Sequence, residues 1–213
     1  MKKNFGFVFA VLVLALAILA CGGTTTTALP EGVLFSDDFS STSSGWDRVN
    51  VADGITDYDN GVYRIKVNTA NTDVWANPGL SFTDVRVEVT ATKAGGPDDN
   101  DFGIICRYVD ASNWYSLIIS SDGYYGIVKV KGGAQELLGM TEMGYSDAIN
   151  QGAATNQIRA DCVGSTITLY ANGTQLVSVT DSEFATGDVG LLAGTFDEIG
   201  TDITFDNYQV MKP

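Results

Sequence analysis

The sequence predicts an all-β protein, an antiparallel β-sandwich of two curved sheets packed face to face. Segments rich in Val, Ile, Thr, Tyr and Phe alternate between apolar and polar residues, as half-buried antiparallel strands do. Turn signals such as Asn-Gly and Asp-Gly separate these segments at short intervals, and only residues 146–151 have a briefly helical pattern. We therefore expect about ten to thirteen strands in one sandwich, at the strand spacing such folds show.

The alternation also predicts which way the side chains of the central strands point. The clearest segments are residues 63–67, 85–91, 166–170 and 201–210. Asn172-Gly173 predicts a two-residue hairpin, because a type I′ turn needs positive φ at both positions. The residues expected to face the core are Val85, Val87, Val89, Phe102, Ile104, Tyr115, Leu117, Ile119, Ile158 and Ala160, together with Trp46, Tyr63 and Tyr108. Those expected to face outward are Arg86, Glu88, Arg107, Trp114, Ser116, Arg159 and Asp161.

The N-terminus resembles a bacterial lipoprotein signal. Lys2 and Lys3 precede an apolar or small run from Phe5 to Ala20, which ends at Cys21. The resemblance implies cleavage before Cys21 and lipidation of that residue. The alternative is an uncleaved transmembrane anchor, although 16 residues is short of the about 20 that a spanning helix needs.

Three segments follow from this reading of the N-terminus. We expect a signal peptide at 1–20, a lipidated cysteine with a Thr-rich tether at 21–31, and one domain at 32–213. The protein would then sit in the cell envelope, anchored by lipid and facing away from the cytoplasm. The choice of membrane layer stays open.

Composition excludes several classes of chemistry. The net charge of −14 becomes −16 once Lys2 and Lys3 are removed, and such an acidic surface disfavours nucleic acid as a partner. The chain has no histidine, so it cannot build a Ser-His-Asp or Cys-His nucleophile system, and a zinc site would lack ligands.

Cys106 and Cys162 remain as an even pair once Cys21 is assigned to lipid. Each lies in an alternating segment, at a position expected to face the core like the residue two before it. An exported protein favours a disulfide between them, which needs their strands to lie close together. The alternative is two separate buried thiols.

Short motifs along the whole domain resemble the concanavalin A-like lectin/glucanase jelly roll. They are Asp37-Asp38-Phe39, Gly45-Trp46, Phe102-Gly103-Ile104, Asn113-Trp114-Tyr115, Asp122-Gly123-Tyr124, Gly187-Asp188-Val189-Gly190-Leu191 and Phe205-Asp206-Asn207-Tyr208. The resemblance is greatest to the laminin-G-like and 3-keto-disaccharide hydrolase-type domains, and it covers residues 33–211. It implies a jelly roll whose concave sheet or rim loops bind sugar in many members. The catalytic Glu-x-Asp-x-x-Glu motif of the glucanase members is absent.

A carbohydrate site would need aromatic rings to stack on the sugar and polar groups to orient it. The candidate rings are Trp114, Trp75, Tyr124 and Tyr125, and the candidate polar partners are Arg107, Arg159 and Asn113. The alternative is that the two tryptophans cover the sheet edge or seal loops.

A structural Ca²⁺ site is the second candidate. The resemblance implies that the first and last strands are neighbours, which would bring Asp38 and Asp206 together beside Asp37. The acidic segments 98–101 and 197–202 are further candidates. The alternative for each of these acidic segments is ordinary turn chemistry, since Asp and Asn are common turn residues.

Three functions remain open at this point. The first is a membrane-anchored module that binds a poly- or oligosaccharide, and the second is a structural or protein-interaction lipoprotein with a partner in the envelope. The third is a glycoside or keto-disaccharide hydrolase, for which Glu88 and Asp161 are the only carboxyl pair on the strands expected to be concave. Arg86 and Arg159 flank that pair, so we expect an ion-pair network there and assign no catalytic residues.

Overall fold

The alternating segments form sixteen strands, numbered β1–β16 in chain order, in residues 29–213, the part of the chain that the computed structural model describes. The larger sheet contains β1 (Val33–Asp37), β2 (Val49–Asn50), β3 (Gly54–Asp59), β4 (Val62–Val67), β6 (Val85–Gly95), β12 (Thr155–Val163), β13 (Thr166–Ala171), β14 (Thr174–Thr180) and β16 (Asp202–Met211). The smaller sheet contains β5 (Thr72–Ala76), β7 (Asn100–Asp110), β8 (Asn113–Ile119), β9 (Tyr124–Lys131), β10 (Ala134–Leu137), β11 (Gly144–Tyr145) and β15 (Asp188–Thr195).

The predicted signal peptide 1–20 and the predicted lipidation site Cys21 lie outside the described residues. Within residues 29–213 there is no helix with the length and apolar character needed to cross a membrane.

Both sheets are antiparallel and pair strands that are distant in sequence. The larger sheet runs β14-β13-β12-β6-β16-β4-β3-β2, with β1 also beside β16. The smaller sheet runs β10-β9-β8-β7-β15-β5, with β11 also beside β9. The first and last strands are therefore neighbours, as the resemblance implied.

The main core lies between the two sheets and follows the alternation in the sequence. All ten residues of the central strands that were expected to face inward belong to it. Trp46 and Tyr63 are also buried there, with their ring centroids 5.3 Å apart. Tyr108 is the exception, because it is half-buried and packs against a second cluster on the outer face of the smaller sheet.

The disulfide between Cys106 and Cys162 is present, and it crosses the sandwich. Cys106 lies on β7 of the smaller sheet and Cys162 on β12 of the larger one. The two strands are close because they face each other across the core. The bridge thus ties one sheet to the other over a sequence separation of 56 residues.

The hairpin between β13 and β14 is the turn that the sequence predicts, with φ of 50° at Asn172 and 81° at Gly173. Two smaller expectations were wrong. Residues 146–151 form turns where a short helix was expected, and the described chain has more strands than ten to thirteen because pieces as short as β2 and β11 pair with longer neighbours.

Candidate functional site

The outer face of the smaller sheet carries a second apolar cluster. Ile105, Trp114, Ile118, Val130 and Leu192 are buried in it. Trp75, Tyr108, Val128 and Met143 pack against it, half-buried. These residues alternate with the inward ones along β5, β7, β8, β9 and β15. An apolar patch on the outer face of a sheet often marks a binding surface.

This face is concave. The strands β10 and β5 are the two ends of the six-strand path, about 24 Å apart in a flat sheet at about 4.8 Å per strand. Yet Gln135 Nε2 on β10 donates a hydrogen bond of 2.8 Å to Asp73 Oδ2 on β5. The ring centroids of Trp75 on β5 and Trp114 on β8 likewise lie 5.7 Å apart, although β7 and β15 lie between these two strands. Such contacts require the sheet to curl toward this face.

A cleft of about 430 Å³ opens at one end of the concave face. Its walls come from the connections β4–β5, β6–β7, β8–β9, β10–β11 and β15–β16 and from the start of β9. The residues that line it are Asn71, Asp99, Ser120, Asp122, Tyr124, Met143, Phe196 and Asp197. Tyr124 is 43% exposed and is supported edge-on by Tyr145, at 5.6 Å between ring centroids.

The cleft is acidic. Partial burial, together with the negative charges of Asp122, Asp197 and Glu198, raises the pKa of Asp99 above its ordinary value. The Ser120 hydroxyl lies in hydrogen-bond contact with the Asp122 carboxylate and 3.2 Å from the main-chain oxygen of Asp98. The cleft therefore offers many hydrogen-bond acceptors beside one exposed aromatic ring.

Of the seven residues predicted to bind a ligand, only Tyr124 lines this cleft. Tyr125 is turned the other way, because the next residue on a strand points to the opposite face, and it packs against the main core. Trp75 and Trp114 lie on the concave face, but Trp114 is only 2% exposed. In this arrangement its ring is covered and offers no surface for stacking.

Arg107 does not face outward, and that expectation was wrong. Its φ is 55°, so the alternation breaks immediately after Cys106, where the pairing register with β8 also shifts. The side chain is 1% exposed, and its guanidinium donates to the main-chain oxygens of Phe184 at 2.9 Å and Gly164 at 2.6 Å. Arg107 therefore holds two connections in place, and its guanidinium also lies 3.6 Å from a carboxylate oxygen of Asp84.

The last two predicted ligand residues lie away from the cleft. Asn113 binds the Asp110 carboxylate through its amide nitrogen and accepts from the Gly132 main-chain nitrogen, so it stabilises turns. Arg159 lies on the larger sheet, with its guanidinium 4.0 Å from the centre of the Tyr170 ring. The structure thus divides the predicted site between two sheets.

The predicted ion-pair network around Asp161 is present. Asp161 accepts bidentate hydrogen bonds from Arg86 and from Arg159, with distances between 2.6 and 3.1 Å. Burial alone would raise the pKa of Asp161, but the two guanidinium groups outweigh it and lower the pKa. A carboxylate held ionised in this way is unsuited to act as a general acid.

The predicted calcium ligands are brought only partly together. Asp37 and Asp38 lie at the end of β1 beside Asn207 and Tyr208 of β16, around a hollow of about 290 Å³. Both oxygens of Asp37 are engaged, one with the main-chain nitrogen of Phe39 and the other with Nε1 of Trp46. Asp38 binds Ser40, and Asp206 binds the main-chain nitrogen of Asn207. Residues 29–213 hold no group of three or more Asp, Glu, Cys or His side chains arranged around a metal.

The cleft residues that the sequence prediction missed had a signal, since Asp98–Asp101, Asp122-Gly123 and Asp197-Glu198 stand out as acidic turns. The sequence does not show that these three turns meet at the same end of the smaller sheet. Asn71 and Phe196 carry no pattern of their own that marks them as cleft residues.

No protein-family model and no curated protein matches this sequence. Among solved structures, the chain is similar to the carbohydrate binding module CBM66 from Bacillus subtilis, at a TM-score of 0.64 and 18% identity over 79% of this chain and 96% of that one. It is also similar to a Bacillus licheniformis beta-glucanase, at a TM-score of 0.61 and 11% identity over 86% and 100% of the two chains. A third is the GH43 protein BlXynB from Bacillus licheniformis, at a TM-score of 0.61 and 15% identity over 84% of this chain and 39% of that one. At these identities the likeness shows the fold alone, and this chain has the antiparallel jelly-roll fold of these structures.

Proposed function

We propose that this chain is a lipid-anchored lipoprotein of the cell envelope whose sandwich binds carbohydrate in the acidic cleft. The observation that carries the proposal is the cleft itself, where the exposed ring of Tyr124 stands among the side chains of Asn71, Asp99 and Asp122. A sugar presents an apolar C–H face and a rim of hydroxyls, and this lining offers one partner for each. The similar solved structures include a carbohydrate binding module and a beta-glucanase, which supports the same class of ligand.

The negative charge of the cleft favours a neutral glycan over an acidic one. Hydroxyl groups donate to carboxylates at little cost, whereas a uronate or sulfate would meet Asp99, Asp122 and Asp197 with like charge. No arginine or lysine of residues 29–213 lines the cleft. We expect neutral polysaccharides to bind and acidic ones to be excluded.

Binding of the full-length chain to an array of neutral and acidic glycans tests this proposal, followed by calorimetry with the best ligand. Tyr124→Ala should weaken binding at least tenfold while leaving the melting temperature within a few degrees, because Tyr124 is 43% exposed and lies outside both apolar clusters. Tyr170→Ala is the matched control, since this ring lies on the larger sheet away from the cleft. Equal losses in both variants, or an array on which only acidic glycans bind, would contradict the proposal.

The anchor is tested separately. Cys21→Ser should abolish incorporation of labelled palmitate and release the protein from membranes, since Cys21 is the residue the signal pattern marks for lipidation. Retention of label in the variant would show that the signal pattern was misread. Retention on membranes without label would favour the uncleaved anchor.

A further inference from the structure

Two carboxylates converge on the concave face next to the cleft. Asp73 on β5 and Asp101 on β7 both pair with Gly194 on β15, which lies between them. A Cβ built on Gly194 would lie 2.0 Å from Oδ1 of Asp101 and 2.3 Å from Oδ1 of Asp73. The two oxygens are therefore no further apart than the sum of these distances, and only glycine fits beneath them.

The Asp101 carboxylate is buried and incompletely bonded. The residue is 8% exposed, and its Oδ1 has no hydrogen-bond partner among the described residues. Asp73 has its Oδ2 held by the Gln135 amide at 2.8 Å, which leaves its Oδ1 directed at Asp101. Buried polar atoms are nearly always paired in folded proteins, so an orphaned carboxylate oxygen facing a second carboxylate indicates a missing positive partner.

We propose that the space between Asp73 and Asp101, above Gly194, is a divalent-cation site that takes an oxygen-preferring ion such as Ca²⁺. The site is distinct from the predicted set at Asp37, Asp38 and Asp206, and it does not depend on glycan binding in the cleft. Carboxylate and amide oxygens supply its donors, and oxygen-only donors suit Ca²⁺ rather than a transition metal. The Gln135 amide oxygen and water from the cleft would complete the six to eight ligands that Ca²⁺ takes.

The surrounding charge favours a cation over a neutral ligand at this position. Burial and the charge of Asp73 both raise the pKa of Asp101, so the pair is costly without a counter-charge. Asp99, Asp122 and Asp197 line the adjoining cleft, and none of these five carboxylates forms a salt bridge with a lysine or arginine of residues 29–213. Such a cluster raises the local concentration of cations.

The cleft also gives an ion a route to the pair. Ser120 lines the cleft, and it follows Ile119, which pairs with Phe102 next to Asp101. Phe196 and Asn71 of the cleft lie two residues along the chain from Gly194 and Asp73. The carboxyl pair therefore lies next to the cleft.

Terbium luminescence tests the proposal, because Tb³⁺ replaces Ca²⁺ and emits when a nearby tryptophan is excited. Trp75 is two residues from Asp73 on the same face of β5, so an ion at the pair should give strong sensitised emission. We expect saturable emission from the full-length chain that excess Ca²⁺ displaces. Asp101→Asn should weaken Tb³⁺ binding at least tenfold, whereas Asp122→Asn, which removes one charge from the cleft, should change it less than threefold.

A second variant keeps every charge and fills the space. Gly194→Ala places a methyl group between the two carboxylates, and it should also abolish the sensitised emission, with circular dichroism to verify folding. Absence of saturable emission from the unmodified chain would overturn the proposal and leave the pair sharing a proton. Emission that survives Asp101→Asn but not Asp122→Asn would overturn it in favour of an ion in the outer cleft.

Discussion

Replacement of Arg107 by alanine separates a structural role from the ligand role that the sequence suggested. The guanidinium donates to two main-chain oxygens, on Phe184 and Gly164, and each hydrogen bond from a charged donor contributes about 1.5–3 kcal/mol. Because Arg107 is 1% exposed, its removal takes a buried partner from both acceptors and a nearby charge from Asp84, 3.6 Å away. We expect the variant to lose about 3–6 kcal/mol of unfolding free energy. A domain of this size then melts roughly 6 °C lower or more.

The assay is thermal and urea unfolding followed by circular dichroism, with Arg48→Ala as the control. Arg48 pairs with Asp57 at 2.6 Å, but both side chains are more than one-third exposed, so this loss should stay below about 1 kcal/mol. Glycan binding by folded Arg107→Ala protein at low temperature should be unchanged, since the side chain lies outside the cleft. A variant that melts like the wild type but no longer binds glycan would refute the reasoning.

Three further predictions concern stability. Reduction of the disulfide between Cys106 and Cys162 should cost about 4 kcal/mol by loop entropy, measured as a lower urea midpoint with reductant and matched by the double alanine variant. Burial alone would raise the pKa of Asp181, but hydrogen bonds from Tyr115 and Lys129 outweigh it and lower the pKa. Its contribution is thus present above the unfolded value of about 3.9 and is lost as pH falls through the folded pKa, so Asp181→Asn should flatten the decline in melting temperature below pH 4. Gly173→Ala at φ of 81° should cost about 1 kcal/mol although nothing lies within 4 Å, and a cost near zero would argue against the type I′ turn.

The sequence was sufficient for the fold because strand alternation and turn chemistry are local. The alternating pattern correctly places Val85, Val87 and Val89 in the core. The Asn172-Gly173 dipeptide forms the hairpin turn that it predicts. The alternating pattern gives the wrong direction for the Arg107 side chain, because the positive φ of this residue breaks the alternation along the strand. Nothing in the alternating pattern marks that position in advance.

The candidate site was harder to predict than the fold, because it depends on the curvature of the smaller sheet and on contacts between strands that are distant in sequence. Trp114 was expected to face outward and Trp75 was a candidate stacking ring, but the sheet curls until the two rings lie 5.7 Å apart. Asp73 and Asp101 meet only because β15 places Gly194 between their strands, through pairings with sequence separations of 121 and 93 residues. Acidic turns indicated that oxygen donors were abundant, but not which of them converge.

The distribution of arginine is consistent with the proposed ligand site on the smaller sheet. Four of the five arginines, Arg48, Arg64, Arg86 and Arg159, lie on or beside strands of the larger sheet, and each pairs with an aspartate. The fifth, the buried Arg107, lies 3.6 Å from a carboxylate oxygen of Asp84. Several carboxylates of the larger sheet are therefore paired with arginine, whereas those that line the cleft form no ion pair within the described chain. The unpaired carboxylates of the cleft favour hydroxyl donors and cations and repel anions.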